Sequence, residues 1–135
     1  MAKRNLINKI FWILVVIFIL LVSFVFIPFN NGLKQVLFPF AGVLAILFLI
    51  LGLVLFFKVR RVKFKDKWLR RWLMIVGFSP ACVVVSVILH NLISGIGMYL
   101  GYAEFEEPVF FLLGIIGFPV LFLIGVIGVL VKGRR

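Results

Sequence analysis

Four long apolar runs, separated by short polar or charged segments, organise this chain. They cover about residues 10–27, 36–57, 72–93 and 109–131, and none contains an acidic or basic side chain other than the neutral imidazole of His90. A bilayer core of roughly 30 Å is crossed by about 20 helical residues. Each run therefore predicts a membrane-spanning helix. The expected fold class is all-α: an integral membrane four-helix bundle, one domain over residues 1–135, with no soluble domain.

Composition strengthens that expectation. Of 135 residues, 65% are hydrophobic and only 14% are charged, and the mean hydropathy is +1.32. Soluble domains lie nearer half apolar and one quarter charged. An ordinary soluble fold, a disordered chain and a disulfide scaffold are all excluded. Cys82 is the single cysteine, so no intramolecular disulfide is expected and its count says nothing of redox compartment. The first run follows Lys3, Arg4 and Lys9, as a signal peptide would. Its 18 apolar residues exceed the roughly 7–15 of a usual signal core, and no small-x-small cleavage site follows. An uncleaved anchor is expected.

The charges predict orientation. The net charge is +11, and 14 of the 15 Lys and Arg residues lie before run one, between runs two and three, or after run four. Only Lys34 falls on the other side, with Glu104, Glu106 and Glu107. By the positive-inside rule, both termini and the 58–71 segment face the cytoplasm of a cell (plasma or inner) membrane. Trp12, Trp68 and Trp72 fall near the expected inner boundary, and Tyr99 and Tyr102 near the outer one. Aromatic side chains favour both interfaces.

The runs differ in how they should pack. Run one is bulky throughout, so much of it is expected to face lipid. In run four, Gly114, Gly117, Gly125 and Gly128 share a narrow arc, with Leu121 between them. Gly42, Ala45 and Gly52 form a weaker stripe in run two. Small residues let helix backbones approach closely in lipid. The stripes fit packing within one bundle or a face between two copies. Pro119, on the opposite side of run four, should kink or loosen that helix.

Run three holds the polar side chains. Ser79, Cys82, Ser86 and His90 are spaced to share one helical face. They fit either small polar contacts between helices or a narrow polar path ending at His90. Pro80 should free a carbonyl near Val76, which Ser79 or a neighbouring helix would satisfy. His90 and Asn91 come near the outer end of run three, and Glu106, Glu107 and Pro108 come just before run four. Pro108 suits a first helical turn, and acids before it suit the positive helix end. The alternative is that His90 pairs with Glu104, Glu106 or Glu107. The segment between, 94–103, is glycine-rich and apolar and is expected as a loop lying in the interface.

The basic segment 58–71 carries eight bases and one acid, Asp66. Lys58, Arg60, Arg61, Lys63, Lys65, Lys67, Arg70 and Arg71 are expected to contact phosphates of anionic lipids, while interleaved apolar residues dip into the interface. An acidic protein partner is the alternative. Nucleic acid is not expected, because no separate folded reading domain exists.

The usual catalytic constellations are missing. There are no cysteine pairs for disulfide exchange and no histidine pair for transmembrane haem. No G-x-S-x-G, H-E-x-x-H or GxxxxGK[ST] motif occurs. One histidine with scattered acids is a poor zinc set. No metal, cofactor or enzymatic activity is expected. The runs lack the intramembrane acid common in proton-coupled exporters, which counts against the small multidrug-resistance family despite its similar length.

Four short stretches carry a resemblance: Gly77-Phe-Ser-Pro-Ala, Ile88-Leu-His-Asn-Leu, Glu106-Glu-Pro-Val-Phe-Phe and Gly117-Phe-Pro-Val-Leu-Phe-Leu-Ile-Gly. Together they resemble a group of small, uncharacterised prokaryotic four-span membrane proteins with a similar His-Asn and Glu-Pro-x-Phe-Phe pattern. The resemblance covers the second half of the chain and implies no activity. It directs attention to His90, Asn91, Glu107 and Pro108. The expected function is a non-enzymatic accessory or structural membrane component, partnered by anionic lipid and by a second copy or another membrane protein. The alternative is an oligomeric transporter or channel for a small solute or ion.

Overall fold

The computed structural model describes residues 2–26, 31–102 and 107–133, with side chains described for 5–24, 36–102 and 107–133. The elements are α1 (Ala2–Phe26), α2 (Asn31–Arg61), α3 (Lys67–Tyr99), α4 (Pro108–Leu112) and α5 (Phe118–Gly133). A π-helical turn, Leu113–Gly117, joins the last two into one rod. No strand occurs among the described residues. Four helices are long and apolar enough to cross a membrane: Asn5–Phe24, Val36–Arg61, Lys67–Tyr99 and Pro108–Gly133.

Helix continues well beyond the apolar runs. Lys and Arg are good helix formers, and unpaired backbone is costly wherever water is scarce. Lys58, Arg60 and Arg61 occupy the last turn of α2, where cations suit the negative helix end. Asp66 caps α3: its carboxylate accepts from the amides of Trp68 at 2.7 Å and Leu69 at 3.2 Å. Most of the basic segment is therefore helix end, with only residues 62–66 between α2 and α3.

At the far end α3 continues through Ser94 to Tyr99, where the sequence pattern suggests a loop. Gly95 and Gly97 do not break it. The stop is Gly101, whose φ of +88° is left-handed. The Gly101 amide bonds the Met98 carbonyl and the Tyr102 amide bonds the Gly97 carbonyl, the paired closure that such a glycine permits. At 33 residues, α3 is roughly 50 Å long, well beyond a hydrocarbon core.

Pro80 and Pro119 are handled differently. Helix continues through Pro80, whose ring lies against Gly52 of α2. Ser79 donates to the Ile75 carbonyl at 2.7 Å, not to that of Val76. Pro119 instead follows the π turn, where the Phe118 amide reaches back to the Leu113 carbonyl. A proline ring crowds the carbonyl four residues earlier, and a wider turn relieves that crowding.

Helix α3 is central. It packs most extensively on α2 and α5, and α1 leans mainly on α2. The α2–α3 contact is made backbone to backbone. A methyl placed on Gly52 would lie 2.8 Å from the Gly77 carbonyl, and one on Gly77 would lie 2.7 Å from the Phe56 amide nitrogen. On α5, Gly125 admits Ile75 and Val76, and Gly128 lies under the Trp72 indole. Gly114 faces Ser86, whereas Gly117 is exposed and would meet only Leu113 of its own rod. Gly42 has open space around it, and Ala45 is half-buried.

Helix α1 packs along one face and leaves the other exposed. Ile7, Ile10, Phe11, Leu14, Ile17 and Phe18 are all buried and supply nearly half of the hydrophobic core. Their spacing of three and one places them on a single face. Bulky side chains fill the space that small ones leave on the facing helices. Phe18 stacks on Phe122 at 4.6 Å between ring centres, and Phe48 meets Phe122 edge-on at 5.3 Å. Three phenyl rings thus tie α1, α2 and α5 together. The opposite face, with Ile13, Val16 and Leu20, is exposed.

Gly77→Ala should lower unfolding stability in detergent by about 1–3 kcal/mol, because the colliding atoms are backbone and cannot rotate away. Gly42→Ala, in open space, should leave stability equal or raise it slightly. Equal losses in the two variants would contradict the close approach of α2 and α3.

Candidate functional site

The polar face of α3 has two parts. Its inner part is closed by packing. Ser79 is fully buried and its hydroxyl bonds its own helix. Ser86 is buried, and its Cβ would lie 3.3 Å from a methyl on Gly114. Cys82, between them, is half-buried and free. Asn91 is exposed and donates to the Val87 carbonyl at 2.8 Å, so it does not join the face.

Its outer part forms a cluster with the start of α4. His90 Nδ1 lies 2.7 Å from the Glu107 backbone oxygen. A carbonyl only accepts, so Nδ1 carries the proton and Nε2 keeps the lone pair in the neutral ring. The Glu107 amide donates to the Ser94 hydroxyl at 3.3 Å. The Glu107 carboxylate accepts from the Val109 and Phe110 amides, each at 2.8 Å. Its Oε2 is also 3.8 Å from His90 Nδ1. Glu107 therefore caps the last rod and contacts His90 at once, so the two sequence-level alternatives coexist. Phe111 lies beside the imidazole, with ring centres 5.1 Å apart. Glu104 and Glu106 lie outside the described residues.

This cluster has a geometric cause. Helix α3 passes His90 by nine residues, about 13 Å at 1.5 Å per residue. The chain then doubles back through Gly101, and Glu107 arrives level with His90 and Ser94. Ser94 is the member that sequence reading omits. It continues the face four residues beyond His90, but the glycine-rich composition around it suggests a loop.

The bases gather at the opposite end. The Arg70 guanidinium donates to the Arg60 carbonyl at 3.3 Å, joining the end of α2 to the start of α3. Arg71 lies over the Trp68 ring, 4.9 Å from its centre. Lys58 and Arg61 flank Ile7 near the start of α1. Lys63, Lys65, Lys67 and Arg60 are exposed. Lys132 of α5 faces the 62–66 link across a cleft.

No protein-family model, no curated protein and no solved structure matches the chain. Chemistry must therefore be read from the side chains themselves. Among the described residues, no three His, Cys, Asp or Glu side chains come together to hold a metal ion. The hydrogen bonds of Ser79, His90, Asn91, Ser94 and Glu107 all run to backbone atoms. The His90, Ser94 and Glu107 bonds fasten α3 to the start of α4, and those of Ser79 and Asn91 stay within α3.

Glu107→Ala should destabilise the fold by about 0.5–2 kcal/mol, the range for losing an N-cap. Hydrogen exchange at the Val109 and Phe110 amides should accelerate together. His90→Phe should keep the ring packing yet leave the Glu107 carbonyl without its donor, costing on the order of 1 kcal/mol. Unchanged stability and exchange in both variants would show that the cluster does not hold α3 to α4.

Proposed function

We propose that this chain is a non-enzymatic accessory or structural component of a cell membrane. It crosses the bilayer four times, with both termini and the 62–66 link in the cytoplasm. The supporting observation is where the polar groups go. Ser79, His90, Asn91, Ser94 and Glu107 are all engaged with backbone. The charge, by contrast, is concentrated at one end. Lys9, Lys58, Arg60, Arg61, Lys67, Arg70, Arg71 and Lys132 belong to helix ends that meet there. Lysine and arginine at a helix end are held by an anionic leaflet, at roughly 1 kcal/mol each. Much of the remaining described surface is apolar, with α2 and the last rod exposing large side chains to lipid or to another membrane protein.

Two measurements test this. In a Cys82→Ala background, Tyr99→Cys should react with an impermeant thiol reagent in intact cells, and Lys65→Cys should not. Tyr99 is 90% exposed and avoids disturbing the left-handed Gly101. The reverse labelling would overturn the orientation. Native mass spectrometry after mild extraction should find a second membrane subunit at fixed stoichiometry. A homo-oligomer alone, with liposome flux abolished by Ser86→Leu, would replace the accessory role with transport.

A further inference from the structure

The 62–66 link alternates strictly. Val62 and Phe64 turn inward against the core, while Lys63 and Lys65 are exposed. That period of two belongs to an extended chain, here stretched between two helix ends. Across from it stands Lys132, in the last turn of α5. Between them lies a cleft of roughly 530 Å³, with Val62, Phe64 and Leu69 among its lining and Lys63, Lys65 and Lys132 also bordering it. Asp66 borders it as well, but its carboxylate is held by the Trp68 and Leu69 amides.

We infer that this cleft binds the headgroup of one anionic phospholipid, with the phosphate between Lys63, Lys65 and Lys132 and the glycerol end over Val62, Phe64 and Leu69. The inference rests on the membrane reading above and names the ligand of its basic end. Three lysines from two separated elements border one space, which a diffuse basic surface does not require. The walls are amphipathic, as a phospholipid is at the junction of headgroup and chain. The half-exposed Trp68, next to Leu69, is a residue type that favours that depth. The link is also braced, by the Asp66 cap on one side and the Arg70–Arg60 bond on the other. A braced site loses less freedom on binding than a mobile one.

The test is native mass spectrometry of the full chain in detergent with equimolar phosphatidylglycerol and phosphatidylcholine. The wild type should retain one phosphatidylglycerol in preference to phosphatidylcholine. K63Q/K65Q/K132Q should weaken that retention at least tenfold, while K9Q/R60Q/K67Q, which removes the same charge from exposed positions outside the cleft, should change it less than threefold. Lys132→Glu alone provides a second variant with the link intact and should weaken retention at least threefold. Equal losses in the two triple variants would overturn the proposal in favour of diffuse attraction, and so would wild-type retention in the cleft variants. Glycerol 3-phosphate is added in a separate arm. If it binds as tightly as the lipid, the occupant is a soluble phosphate and the phospholipid assignment fails. Loss of lipid selectivity leaves the stoichiometry of any co-extracted subunit unchanged, so this result and that of the accessory role are read separately.

Discussion

The approach of α2 to α3 at Gly52 and Gly77 sets the geometry from which the rest of the bundle follows. Lipid tails are as apolar as leucine, so hydrophobic burial does not hold membrane helices together. What remains is dispersion between close surfaces and hydrogen bonding across them. Removing side chains at Gly52 and Gly77 brings two backbones within contact and seats the Pro80 ring in the gap. With α3 so placed, its other side meets Gly114, Gly125 and Gly128 of the last rod. Helix α1 then fills the remaining side with large residues, anchored by the Phe18, Phe48 and Phe122 rings.

Polar groups follow the same economy of contact. In a low-dielectric interior an unpaired polar atom is expensive, and this chain places few there. Three of these are paired locally: Ser79 one turn back on its own helix, Glu107 onto the two amides ahead of it, His90 onto the carbonyl beside it. The Glu107 and His90 bonds fix the start of α4 against α3. The Trp72 indole on Gly128 does similar work near the basic end, and there the aromatic residue is a packing element as much as an interfacial one.

Much of this architecture is legible in the residues, for a physical reason. A span is a long uniform signal, so four runs of apolar side chains are enough to place four helices. Glycine stripes are also visible, and Gly114, Gly125 and Gly128 do meet a partner. Yet Gly117 and Gly42 do not, because a stripe reports the freedom to pack and not which helix comes near. The π turn before Pro119 also shifts the register that a uniform helix would keep. Gly77 is easily passed over, since one glycine among valines and isoleucines has no stripe. The burial of α1 is hidden because its two faces have the same composition; only their neighbours differ. Ser94 is masked by nearby glycines, although its spacing from His90 continues the polar face. The Asp66 cap is readable in principle, as an acid three residues before an apolar stretch of helix.

The link of five residues between α2 and α3 has a consequence for how the protein comes to be assembled. So short a connection has little closure entropy to overcome, and both of its ends are fixed by bonds made within fifteen residues of sequence. The second and third helices therefore form a hairpin that holds the backbone-to-backbone contact of Gly52 and Gly77. The first and last helices make few backbone approaches to each other and meet through the Phe18–Phe122 stack.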